Sequence, residues 1–181
     1  PTKRFVPGEG WTFHGHEDKG SRWVKPIFRR MKLPLGEPMR KVKNLVKLHL
    51  RPIALTKESI TDSAVRRLIF DTGEDLDDLM ILCKSDITTK NKKKEQRFQA
   101  NLVNVEKNIA EVEERDRIRN WQPPISGDDI MKLFGIGPSR EIGTIKTALK
   151  DAILDGHVNN EYDDAYNFVL EKGKELGLQQ K

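Results

Sequence analysis

The sequence is short of the residues that build disulfide frameworks and β-rich cores. It holds a single cysteine among 181 residues, so no intramolecular disulfide is available and a reducing cytoplasm is the expected compartment. That residue, Cys83, lies in the apolar run LMILC, where a buried structural thiol is the simplest expectation. Aromatic residues make up only 7% of the chain while charged residues reach 34%, a balance that favours a soluble helical protein over a β-rich one. No run approaches the roughly 18 apolar residues of a transmembrane helix, and no apolar signal core opens the chain, so no membrane role is expected. Internal repeats and low-complexity tails are also missing.

What is present is charge in blocks and apolar residues at helical spacing. Residues 1–55 carry 13 Lys and Arg against four acids, and residues 91–107 carry five against two, whereas the segments between and after are net acidic. Two basic blocks in a chain of formal net charge +5 suit a polyanionic partner, although a solvated surface explains composition alone equally well. Helices are predicted from about Glu17 to Met31, with Pro26 kinking the helix or delaying its start, and from about Glu37 to Leu50, ended by Pro52. A third helix, SAVRRLIFD, is capped by Thr61 or Asp62 and ended by Gly73, and a fourth follows in GEDLDDLMILCKSDI. The acids Glu74, Asp75, Asp77 and Asp78 fall in its first turn, where negative charge opposes the helix dipole, so capping explains them better than metal binding.

A long helix is predicted from Asn91 to Trp121. Its apolar positions Phe98, Leu102, Val105, Ile109 and Val112 step by four, three, four and three, a narrow seam for packing on other helices. WQPPI stops it, and three shorter helices follow, the first opening with a Ser126-x-x-Asp129 capping pattern. The expected fold is all-α: a helical body over residues 1–90, then a long helix and a small helical tail over residues 91–181.

The densest candidate chemistry is HGHED at residues 14–18, which holds two of the four histidines. Imidazoles and carboxylates suit divalent transition metals, but a site needs three or four converging ligands, and a polar helix start explains the same residues. His49 lies on an otherwise apolar helix, and Asp86 follows an apolar run, where burial of an acid is costly unless it is paired or metal-bound. For a polyanionic partner, the candidate cations are Arg29, Arg30, Lys32, Arg40, Lys41, Lys43, Lys47 and Arg51 on the first two helices and Lys90, Lys92, Lys93, Lys94 and Arg97 at the start of the long helix, although a solvated charged face explains them too. In FGIGPSREIG, Gly135 and Gly137 permit close backbone approach and Arg140 adds a cation at a helix start, although a plain helix-to-helix turn fits these residues too.

Three strings taken in order, GWTFHGHED, LVKLHLRPIAL and SAVRRLIFDTGEDLDDLMILCKSDITTKN, resemble the HD-containing body of bacterial CCA-adding tRNA nucleotidyltransferases. EERDRIRNWQPPISGDDIMKLFGIGPSREIGTIKTALKDAILDG resembles the carboxy-terminal RNA-binding region of the same family. The resemblance implies an HD-type metal site with His16, His49 and Asp86 at the matching positions, able to take a divalent metal if complete. It implies tRNA as partner, with ATP and CTP as nucleotide substrates and magnesium as the cofactor of a catalytic head. Two family features have no counterpart here: the Gly-Ser motif followed by paired aspartates that holds magnesium in the head, and the adjacent His-Asp pair of the HD signature. The chain, which opens PTKRF without Met, is therefore expected to be the carboxy-terminal part of a larger enzyme, one that grips RNA without transferring nucleotides itself. Alternatives are a fragment of a poly(A) polymerase or A-adding enzyme, a stand-alone HD phosphohydrolase, and a helical interaction module.

Overall fold

The computed structural model describes residues 2–8, 10–56, 60–87, 91–116 and 121–181. The protein is mainly helical, as expected, and among the described residues it also carries one small two-stranded sheet. Strands β1 (Arg4–Val6) and β2 (Gly10–Thr12) pair antiparallel, with Phe5 opposite Trp11. The helices are α1 (His16–Arg30), α2 (Glu37–Leu48), α3 (Arg51–Leu55), α4 (Asp62–Thr72), α5 (Leu76–Ser85), α6 (Lys92–Asp116), α7 (Gly127–Phe134), α8 (Arg140–Leu154) and α9 (Tyr162–Glu175), with a 3₁₀ turn at Gly73–Asp75.

Local chemistry accounts for most boundaries. Helix α1 has Glu17 and Asp18 in its first turn and Arg29 and Arg30 in its last, the charge order that a helix dipole favours. Pro26 does not delay its start: the helix runs through that position, where the proline is exposed and water can satisfy the carbonyl one turn earlier. Helix α2 stops at Leu48, two residues sooner than expected, and Pro52 helps to open α3 because a first-turn residue needs no N–H donor. Thr61 caps α4, its hydroxyl oxygen accepting from the Ala64 amide at 3.3 Å. The end of the predicted long helix at residues 117–120 lies outside the described residues.

The chain forms two compact units. The first comprises residues 1–60 and 68–119, the second residues 61–67 and 120–181. Helix α6 thus groups with the helices before it, whereas the sequence reading divides the chain at 90/91. The reason is its seam: Leu102, Val105, Ile109 and Val112 are all buried, and α6 packs on α3 and α5. In the second unit Ile130 and Phe134 of α7, Ile142, Ile145, Leu149 and Ile153 of α8, and Ala165 and Val169 of α9 form one core.

Candidate nucleic-acid interface and histidine pair

The first unit brings together two of the three residues matched to a metal site. Gly15, in the left-handed region at φ 75°, turns the chain into α1 so that His16 opens the helix. His49 follows the last residue of α2. Their Nε2 atoms lie 3.0 Å apart, across 33 positions of sequence. Each Nδ1 is bonded to a carbonyl oxygen, that of Phe13 at 2.8 Å for His16 and that of Val46 at 2.7 Å for His49. A carbonyl only accepts, so each Nδ1 carries a proton and each Nε2 of a neutral ring presents a lone pair. Two lone pairs at that distance repel unless a cation joins them, either a second proton on one ring or a metal ion. Backbone carbonyls that fix Nδ1–H are the usual outer support of metal-binding imidazoles.

Asp86 does not join the pair. It sits exposed at the end of α5, and no group of three or more His, Cys, Asp and Glu residues converges to hold a metal among the described residues. The nearest acid in sequence is Glu17, whose Oε2 lies 3.6 Å from His16 Nδ1. The donor set thus fits a divalent cation in its two imidazoles, but not in a third protein ligand. Cys83 lies behind the pair as a structural group. Its thiol donates to the His49 carbonyl at 2.8 Å, and burial, helped by the negative charge of Asp86, pushes its pKa up to about 12.

The structure sorts the cations into tied and free. Lys41 is held by Asp78 and, at 3.3 Å, by Asp75; hydrogen bonds to Asp78 and then Asp75 raise its pKa. Arg51 pairs with Asp71. Arg40, Lys43 and Lys47 have no carboxylate partner among the described residues, and with Lys41, Asn44, Glu37, Glu74 and Asp75 they line an open cleft of about 600 Å³. Arg29 and Arg30 are exposed at the end of α1. Lys92, Lys93, Lys94 and Arg97 are exposed on the opening turns of α6, where cations oppose the dipole and only Glu95 offsets them in the first turn. Lys90 lies outside the described residues.

In the tail, Gly135 ends α7 at φ 64°, and a Cβ there would meet the side chain of Lys181, which fits a packed helix end. Gly137 is open and Arg140 exposed. The start of α8 holds its own anion: Glu141 accepts hydrogen bonds from Ser139 and from its own backbone N–H, which keep its carboxyl below the usual range.

Two features escaped the sequence reading. The hairpin sets Phe5 edge-on to Trp11 at 5.4 Å, with the Lys3 ammonium 4.2 Å from the Trp11 ring centre. Its signal was there, a Pro-Gly turn between two short aromatic-bearing stretches. In the second unit Arg67 bonds Asp155 at 2.8 Å and Asp151 at 3.0 Å, while Ser63 donates to Asp155 at 2.7 Å; no local pattern announces partners about 90 positions away.

No protein-family model matches the chain, and no solved structure matches it. The chain is 30% identical over 150 residues to an A-adding tRNA nucleotidyltransferase of Deinococcus radiodurans. The match covers 81% of this chain but only 32% of the relative, so the chain spans about a third of the length of that curated protein. By sequence, then, it is similar to part of a tRNA nucleotidyltransferase. Among the described residues no helix is long and apolar enough to cross a membrane.

Proposed function

We propose that this chain is the RNA-holding part of a tRNA nucleotidyltransferase, positioning tRNA while nucleotide transfer takes place on a catalytic head. The observation that carries the reading is the similarity over 81% of the chain to a tRNA nucleotidyltransferase. The free cations agree with it: Arg29 and Arg30, Lys43 and Lys47 with Arg40, and Lys92, Lys93, Lys94 and Arg97 face solvent and need anions more than the fold needs them. Magnesium, ATP and CTP belong to the head, whose Gly-Ser and paired-aspartate motif this sequence does not contain. His16 and His49 are read as two ligands of an HD-type metal site, and Asp86 as a matching position that this chain alone does not bring to them.

CCA addition is the main reading. A-only addition is the second, and it is favoured by one observation, the A-adding activity in the name of the Deinococcus protein.

The test is tRNA binding by the intact chain, followed by fluorescence anisotropy at several salt concentrations. If about six phosphates are engaged, affinity falls by about 10³ between 50 and 200 mM salt. Lys43→Glu with Lys47→Glu then flattens the salt slope by about 1.4–1.8. Absence of salt-dependent binding at low salt overturns the reading and leaves an interaction module.

A further inference from the structure

Phosphate contacts do not explain why the first unit exposes so much aromatic and aliphatic surface. Trp23 is 48% exposed, Ile27 38% and Met31 60%. All three lie on or at the end of α1, whose Ser21 and Val24 are buried and which packs on α2. Lys19, Trp23, Ile27 and Arg30 fall at i, i+4, i+8 and i+11, one stripe that runs cation, aromatic, aliphatic, cation along the helix. From Lys19 to Gly36 the sequence has six cations and no acid, and none of the six forms an ion pair among the described residues. The charge complement of such a stripe is a polyanion.

We propose that this stripe of α1 binds unpaired nucleotides: Trp23 stacks on a base, Ile27 packs beside it, and Lys19, Arg22, Arg29 and Arg30 take the flanking phosphates. The inference deepens the RNA-holding reading and rests on it, because it names single-stranded RNA as what α1 receives. A duplex needs only cations, since its bases are hidden. An exposed indole among cations gains most from a base that is free to stack, and every base offers a π face. The stripe spans about 16 Å from Lys19 to Arg30 at about 1.5 Å per residue, enough for four or five nucleotides stacked at about 3.4 Å each. An interfacial membrane helix instead needs a continuous apolar face. In α1 the inward face is spent on α2, and the outward one is interrupted by cations.

The experiment compares two RNAs with equal numbers of phosphates, a 12-nucleotide single strand and a blunt hairpin, titrated with the intact chain at fixed moderate salt. Trp23→Ala is expected to weaken single-strand binding about tenfold or more, with hairpin binding changed less than about twofold. Trp23→Phe, which keeps a ring, is expected to retain most of the affinity. Circular dichroism guards against an unfolded variant, and Trp23→Phe keeps the test open if Trp23→Ala does not fold. The proposal is overturned if Trp23→Ala changes neither RNA or weakens both equally. It is also overturned if the variant loses binding to phosphatidylserine vesicles while single-strand binding is unchanged, which would make α1 a lipid-facing helix. If the hairpin binds with its salt slope intact and the single strand is insensitive to Trp23, this inference fails and the RNA-holding reading stands. If neither RNA binds, both fail.

Discussion

The two compact units differ in where their unsatisfied groups lie. In the second unit several local demands are met from within. Ser126 and Asp129 cap α7 reciprocally, with hydrogen bonds of 3.0 and 3.2 Å, and Glu141 answers the start of α8. Arg67 is held by Asp151 and Asp155, and the core residues of α7, α8 and α9 are nearly all inaccessible. The first unit has no side-chain cap on α1, α2 or α3, as α8 and α9 of the second have none, but it differs in carrying an acid-free run of six cations from Lys19 to Gly36 and in exposing Phe5, Trp11, Phe13 and Trp23. A region selected mainly for stability satisfies its own polar groups, while one selected to hold something else leaves groups open for it. On this view, changes in the second unit act on stability and changes on the open face of the first act on binding.

Three substitutions in the second unit sharpen or break that contrast. The largest effect is expected at Gly173, which is buried in α9 where a Cβ would come within 2.1 Å of the Phe134 ring. Gly173→Ala should destabilise the protein by about 1–3 kcal/mol through overpacking. Urea unfolding should show part of that loss restored by Phe134→Leu, and RNA binding measured well below the unfolding transition should not change. Next is Ser126→Ala, which removes one half of the capping box and should cost about 1 kcal/mol by the same measurement.

The smallest effect is expected at Asp155. Arg67 first, and Ser63 second, hold its carboxyl below the usual range. A depressed folded value means that the stabilisation is present above the unfolded value of about 3.9 and is lost as pH falls through the folded one. Because both side chains are about a third exposed, the pair is worth less than about 1 kcal/mol. Asp155→Asn should therefore be slightly less stable than the parent near neutral pH, and thermal unfolding from pH 7 to pH 3 should show the difference closing at the acid end. A gap that widens with acid would mean that the carboxylate is not what the pair stabilises.

Much of the fold was legible because helices are written locally. The α6 seam at Leu102, Val105, Ile109 and Val112, the Ser126 cap and the glycine stops at Gly73 and Gly135 all depend on residues within a turn of one another. The hairpin was missed because its two strands are three residues each, too short for alternation to register against a helical background. The candidate site was half legible. Histidines near a helix start and on a helix were visible as candidates, but nothing local says that His16 and His49 meet while Asp86 does not. Lys41 and Lys43 look alike in sequence, yet one is tied to Asp75 and Asp78 and the other is open.

The sequence by itself determined the helical class, most element boundaries, the segregation of basic charge and the similarity to part of a tRNA nucleotidyltransferase, because these depend on residue type and on its order along the chain. Only the tertiary structure decided that α6 packs with the helices before it, that two imidazoles face each other at 3.0 Å, and which cations remain free for an anionic partner. Those outcomes depend on distances between residues tens of positions apart. Such distances are fixed when apolar faces pack together, and no local pattern contains them.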